Sequence, residues 1–408
     1  MSRSKYVSVG DTGGLILDGK YDDFATNAGL QIVKNEIVSA IEASNVQPIS
    51  FGTTGRQKLY PTSNLQFEMI PDRSMGVIAV DFKNDGFSYG IDNGWIARSD
   101  DGWQTKENGV HFTSLGAVYA SRLCRWSDGT LCAVTDAGKV ITFDDLSGTN
   151  TKVNLDIGDK LAAIINVSFW EDGVNRIVLL GDYQIGTNYP PKLYMSLDGG
   201  ETFNVILEGK ALFSNNHWHA TCYDRFSGTI WASQGDGVSA TTYFSTDLGS
   251  TWTEVSLKEG KHSSYAQPTL ILPFPSRMVF GRDGGGIPPG LDEWVRDGKN
   301  ITPSNVFLPE PALEFKDTYG SHTYYPSLPY TTVFPLNPLV AYVSFPYRSD
   351  DKQEISFIFA TGDGGESWHS VYAGLKRMIV RGTDGVNLFC TDTLGGSSFY
   401  SAKLVEWV

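Results

Sequence analysis

The stretch Ser245-Thr246-Asp247-Leu248-Gly249-Ser250-Thr251-Trp252 decides the fold, because its spacing of hydroxyl, aspartate, glycine, hydroxyl and aromatic returns elsewhere in the chain. It recurs at Ser196-Leu197-Asp198-Gly199-Gly200-Glu201-Thr202-Phe203 and at Thr361-Gly362-Asp363-Gly364-Gly365-Glu366-Ser367-Trp368. A frayed fourth copy lies at Ser99-Asp100-Asp101-Gly102-Trp103-Gln104-Thr105, where glycine and the aromatic come early. Aspartate followed by glycine makes a tight turn, since the carboxylate accepts from nearby backbone N–H groups and glycine takes the positive φ that other residues resist. The aromatic then anchors the turn on the sheet beneath it.

Working outward, each copy is flanked by strand-like runs, Lys192–Ser196 and Phe203–Leu207 for one, Thr242–Ser245 and Trp252–Ser256 for another, so each reads as the turn of a β-hairpin. The copies starting at 196 and 245 are 49 residues apart, and the intervals to the other two are each about twice that. A repeat of that length carrying several strands is the signature of a β-propeller blade. The pattern resembles the Asp-box, or bacterial neuraminidase repeat, of sialidase-like β-propellers. In that family the box joins the outer strands of a blade, away from the central channel. The resemblance therefore implies that Asp198, Asp247 and Asp363 are structural.

Seven strand-rich units follow one another from residue 65 to residue 408, with six blades as the alternative count. The expected fold is all-β, a six- or seven-bladed propeller with seven favoured, preceded by an N-terminal arm over residues 1–64. The last unit shows three clear strands, and Leu65–Met69 is a candidate to complete it and close the ring, which removes exposed sheet edges. Within the arm Leu30, Val33, Ile37 and Ile41 recur at three- and four-residue spacing, which predicts a short amphipathic helix. That helix lies either on this chain's own propeller or against another subunit, giving a possible oligomer through residues 1–45. Seven prolines between 303 and 338 mark an insertion rich in tyrosine, read as a loop over one face because proline is excluded from paired central strands.

Composition narrows the function. With 44 glycines, 12% aromatic and 19% charged residues, the 408-residue chain favours many short strands and turns. The formal charge of −14, without long runs of one sign, speaks against nucleic acid and anionic membrane as main partners. Cys124, Cys132, Cys222 and Cys390 form no CxxC pair and read as buried small hydrophobes. No apolar leader follows the N-terminal Met-Ser-Arg-Ser-Lys, and no stretch is long and apolar enough to span a membrane as a helix.

The sharpest chemical candidate is Asn216-His217-Trp218-His219-Ala220, since residues two apart on a strand face the same way. The order of this strand, the turn at Ser227-Gly228 and the strand ending at Gly235-Asp236 resembles that of sialidase-like propellers whose inner strands begin at the channel. The resemblance implies that His217, His219 and Asp236 lie near it. A second candidate is Arg282-Asp283 followed by three glycines, which lets backbone approach a ligand while the charged pair recognises or protonates a sugar. Trp218, Arg282, Tyr324 and Tyr325 are the expected ligand contacts, and a catalytic set would draw on His217, His219, Asp236, Asp283 and His322. Buried structural histidines are the competing reading. No cofactor and no metal are expected, because two imidazoles without a third ligand do not make a zinc site. Asp81-Phe-Lys-Asn-Asp85-Gly86 reads as a turn, since Lys83 occupies what would be a calcium-ligand position. Sialidases carry an Arg-Ile-Pro motif, whereas this chain has Ile70-Pro71-Asp72-Arg73, so sialidase activity is not expected.

Glycan-directed propellers usually work outside the cell, while this chain shows neither an export signal nor a disulfide framework. A virion protein of the phage tail or fibre type reconciles the two, being made in the cytosol and released by lysis. The expected function is recognition of a surface glycan, with other virion proteins as further partners. The alternatives are a glycoside hydrolase or polysaccharide lyase acting on host polysaccharide, and a purely structural ring. The expected location is the virion or the extracellular space after lysis, with the cytoplasm as the alternative.

Overall fold

The computed structural model describes residues 65–112, 120–135, 137–158, 167–185, 190–210, 215–235, 240–255, 268–282, 290–297, 300–311, 337–349, 354–374, 376–392 and 398–404, together with the strands Val7–Val9, Leu15–Leu17, Arg56–Leu59, Tyr324–Pro326 and Tyr330–Val333. The chain divides into two units. In the first, 1–50 with 404–408, Val7–Val9 pairs antiparallel with Leu15–Leu17. The predicted helix over 27–45 lies outside the described residues. Among the described residues there is no α-helix.

The second unit, 51–403, is a seven-bladed β-propeller. Blade 1 comprises Met75–Ile78, Ser88–Asp92, Trp95–Ser99 and Glu107–His111; blade 2 Ala120–Arg125, Leu131–Thr135, Lys139–Phe143 and Lys152–Asp156. Blade 3 is Val167–Glu171, Arg176–Gly181, Lys192–Ser196 and Asn204–Glu208; blade 4 Asn215–Asp224, Thr229–Gln234, Thr241–Ser245 and Thr253–Val255. Blade 5 is Pro268–Pro273, Arg277–Arg282, Leu291–Asp297 and Asn300–Pro311; blade 6 Tyr330–Val333, Ala341–Ser349, Glu354–Thr361 and His369–Gly374. Blade 7 is Ile379–Thr383, Asn387–Thr391 and Phe399–Lys403, completed by Glu68–Ile70 from the other end of the chain. That closing strand runs antiparallel to Phe399–Ser401, with Ile70 opposite Phe399.

The core lies between blades. Ile96, Leu123 and Ile141 pack blade 1 on blade 2, Val134, Trp126 and Val178 blade 2 on blade 3, and Val343, Phe357 and Val279 blade 5 on blade 6. Strands covered on both faces carry unbroken apolar runs, as in Leu131–Thr135, every residue of which is buried.

Each recurrent turn joins the third and fourth strands of its blade, in blades 1, 3, 4 and 6. In blade 4 the Ser245 hydroxyl accepts from Gly249 N at 2.8 Å, while Asp247 accepts from Thr251 N at 2.8 Å and from the Thr251 hydroxyl at 2.6 Å. The fourth and fifth residues of the stretch are left-handed, Leu248 at φ 54 and Gly249 at φ 86. The frayed copy folds the same way. Trp103 N donates to the Ser99 hydroxyl at 2.9 Å, and Thr105 N and its hydroxyl donate to Asp101 at 3.0 and 2.6 Å. Its aromatic has moved into the left-handed position itself, Trp103 at φ 71, and its ring is fully buried with Nε1 donating to Ser88 Oγ at 3.0 Å.

These turns fasten each blade to the one before it. Trp126 Nε1 of blade 2 donates to Gly199 O in the turn of blade 3, and Trp252 Nε1 in the turn of blade 4 donates to Ile206 O of blade 3. The turn of blade 6 lies on Phe274 of blade 5, and Trp103 meets Phe399 of blade 7 edge to face at 6.4 Å. The aspartates thus hold turns whose packing is inter-blade.

Two features extend the sequence reading. The segment before blade 1 follows the rim: Arg56–Leu59 pairs parallel with Leu308–Pro311 of blade 5, Leu65 N donates to Val371 O of blade 6, and Glu68–Ile70 closes blade 7. The stretch 303–338 is also not one continuous loop, because Asn300–Pro311 is a paired strand. Pro303 sits at a register shift opposite Trp294, and Pro309 and Pro311 lie beyond the last residue paired with the preceding strand, Phe307. Bulges and strand ends are where a missing N–H does least harm.

Candidate functional site

His217 and His219 sit near the start of the first strand of blade 4, at the end of the blade opposite the Asp247 turn. The register slips between Trp218 and Ala220, so His219 is an extra residue in a β-bulge. Bulges re-aim side chains. A short strand from blade 3, Tyr183–Ile185, adds to the same edge with Tyr183 opposite His217. The result is a stack: the Tyr183 and His217 ring centroids are 4.3 Å apart and those of His217 and His219 4.5 Å apart, with the two Nε2 atoms at 2.5 Å. A hydrogen bond between them has one Nε2 donating and the other accepting, the roles set by the ring tautomers. The histidines are 1% and 3% exposed, so this contact lies beneath the surface.

Trp218 points to the other face of the strand and is fully buried with Leu193, Ala232 and Tyr243. Its assignment as a ligand contact is corrected: the ring is core. Gly181 makes room for it, since a Cβ there would lie 2.5 Å from Trp218 Cβ. Arg282 ends the second strand of blade 5, opposite Pro268, which topology places at the same end as His217 on the neighbouring blade. Tyr324 and Tyr325 form a strand pairing with Ser349 and Arg348, at backbone level only. Asp236, Asp283 and His322 lie outside the described residues. Among the described residues no group of three His, Cys, Asp or Glu side chains is placed to hold a metal ion.

A cavity of about 360 Å³ lies at the other end, where blade 1 meets blade 7 across the ring closure. Asn84, Phe87 and Tyr89 of blade 1 line one side, Asp100 comes from the Ser99–Thr105 turn, and Asn387 and Lys403 come from blade 7. Beneath it Arg125 makes a bidentate pair with Asp85 at 2.6 and 2.7 Å and stacks 4.2 Å from the Tyr89 ring centre. The hydrogen bond from Arg125 holds the Asp85 carboxyl at about 2. Asp81, also on the wall, is pushed up by burial, against the opposing pull of Arg125. Asp101 and Asp384 are engaged within their own turns. Among the described residues nothing bonds the Asp100 carboxylate, the Asn84 side-chain amide or the Lys403 ammonium. The cavity therefore offers an acceptor, an amide and a cation beside the half-buried Phe87 ring, Tyr89 lying in the core under Arg125.

Sequence reasoning missed this site because its walls are some 300 residues apart in the chain, as Asn84 and Asn387 illustrate. The available signal was ring closure itself, which brings the first and last blades together.

No family model matches the sequence, and no curated protein matches it. Solved structures do. A chain of the mitotic checkpoint complex superposes over 88% of this chain and 99% of its own length, with TM-score 0.51 and 10% identity. YCF48 from Cyanidioschyzon merolae covers 83% and 98%, with TM-score 0.49 and 12% identity. An ulvan lyase, a polysaccharide lyase, covers 83% and 95%, with TM-score 0.46 and 10% identity. What is shared is the propeller fold. Propellers host many unrelated functions, so the site has to carry the argument.

Proposed function

We propose that this propeller is a glycan-recognition module, and that it serves as a virion component of the phage tail or fibre type, in the lineage of the Asp-box propellers. The observation that carries the recognition reading is the cavity at the seam of blades 1 and 7, where Asp100, Asn84 and Lys403 stand beside the Phe87 ring. Sugars present hydroxyls on their edges and C–H groups on their faces. Carboxylate, amide and ammonium groups pair with the first, and aromatic rings pack on the second. The division of the chain into two units suits this reading, with attachment to a particle assigned to the first and recognition to the second.

The alternative is a glycoside hydrolase or polysaccharide lyase using the imidazole pair with Tyr183 as acid and base. The stacking of Tyr183 on His217 favours it, and the burial of both histidines weighs against it. The structural ring is the third possibility. A glycan array with the full chain, followed by a turnover assay on any polysaccharide it binds, separates the three. Binding without product is the expected result; product that disappears in His219→Ala identifies the enzyme, and silence across the array leaves the structural ring.

A further inference from the structure

Cys124 and Cys132 stand directly opposite each other on adjacent antiparallel strands of blade 2, eight residues apart in sequence and joined by one turn. Both side chains are fully buried and enter the same cluster, with Trp126, Val134 and Val178, so they lie on the same face of the sheet. Opposed residues of antiparallel strands have Cα atoms about 4.5–5.5 Å apart. That is within the ~4.4–6.8 Å that a disulfide bridges. The other two cysteines have no such neighbour, Cys222 facing Trp231 and Cys390 facing Tyr400.

We propose that Cys124 and Cys132 are a latent disulfide, closed when the folded protein meets a peroxide. One sulfur, as thiolate, attacks a peroxide oxygen; the O–O bond breaks, and water leaves after protonation. The sulfenic acid so formed is attacked by the facing sulfur: the S–S bond forms, the S–O bond breaks and a second water leaves. Two thiols and one hydrogen peroxide thus give one disulfide and two waters, with the sulfurs oxidised and the peroxide reduced.

Burial pushes both thiols up, Cys124 additionally through the charge of Cys132, so in the reduced protein they are inert. The turn of blade 3 covers the pair: a Cβ on Gly200 would come 2.8 Å from Cys132 Sγ. Reaction therefore requires that turn to lift, and the fastening of blade 3 on blade 2 sets the rate. A protein made among reducing thiols keeps the pair open, and one exposed to an oxidising exterior closes it.

Millimolar hydrogen peroxide applied to the folded full chain, followed by alkylation in denaturant and peptide mapping without reductant, tests this. The expected product is a cross-linked peptide joining Cys124 to Cys132, with free thiols falling from four to two and returning on reduction. Asp198→Ala, which loosens the covering turn, is expected to speed closure, and Cys124→Ser to abolish the cross-link while leaving Cys222 and Cys390 reduced. Oxidation of Cys222 or Cys390 before the pair, sulfinic acid at Cys132 without a cross-link, or an unchanged rate in folded Asp198→Ala overturns it.

Discussion

Trp103 offers the sharpest test of how the ring is fastened at its seam. Its ring is fully buried, donates to Ser88 Oγ and meets Phe399 of blade 7, while its backbone is left-handed at φ 71. A buried tryptophan removes about 150–250 Å² from water. At ~25 cal/mol per Å² that amounts to ~4–6 kcal/mol, and truncations of large aromatics cost about 3–5 kcal/mol in practice. Trp103→Ala is accordingly expected to lose about 3–5 kcal/mol, read as a drop in urea midpoint at unchanged slope. Trp103→Gly removes one carbon more but escapes the left-handed strain, about 1–2 kcal/mol for a residue with a Cβ. The glycine variant should therefore equal or exceed the alanine variant in stability, the reverse of the order in ordinary strands. A loss below ~1.5 kcal/mol in Trp103→Ala, or a glycine variant clearly less stable than the alanine one, would refute the reasoning.

Three further outcomes follow from the turns and the rim segment. The Thr251 hydroxyl, with its amide and Ser245, holds the Asp247 carboxyl at about 2. A carboxyl depressed below its ordinary ~3.9 stabilises the fold above that pH and loses the contribution as pH falls through 2. Asp247→Asn should therefore flatten the acid limb of a stability profile between pH ~4 and 2, with wild type and variant converging at the bottom; parallel limbs would contradict this. Gly200→Ala should cost more than Gly158→Ala, because both are left-handed but only Gly200 has a neighbour where the Cβ would go; equal midpoints in thermal melts would contradict it. Deleting residues 1–50 should leave the propeller's urea midpoint unchanged, whereas deletion through Ile70 removes the closing strand and the buried Leu65 and Ile70. At ~1.5–3 kcal/mol per buried side chain the longer deletion should cost ~3–6 kcal/mol, and equal midpoints for the two deletions would count against the clasp.

What was legible in the sequence was local. The turns at 196, 245 and 361 are written within eight residues, so their residue types alone specify the hydrogen bonds. The copy at 99 keeps Ser99, Asp101 and Thr105 at the right spacing and folds in full although its aromatic has moved. Closure by a strand from the N-terminal side was also readable, since the seventh unit lacked one. The rim segment Arg56–Leu59 was not, because its four polar-rich residues acquire strand structure only from the blade 5 edge they pair with. Period two predicts a common face for His217 and His219, yet what brings them together is a bulge at His219 and a strand carrying Tyr183 from another blade, neither of which has a local signature. The cavity depends on residues from both ends of the chain and has no local signature.

The most direct test of the central claim is a titration of the full chain, wild type against Asp100→Ala, Asn84→Ala and His219→Ala, with a glycan selected from the array. Losing a charged hydrogen bond of about 1.5–3 kcal/mol weakens affinity roughly 10- to 150-fold. Recognition at the seam predicts a loss of that order in Asp100→Ala, a smaller one in Asn84→Ala and none in His219→Ala. Unchanged binding in both seam variants, with loss in His219→Ala, would contradict it and move the site to the other end of the ring.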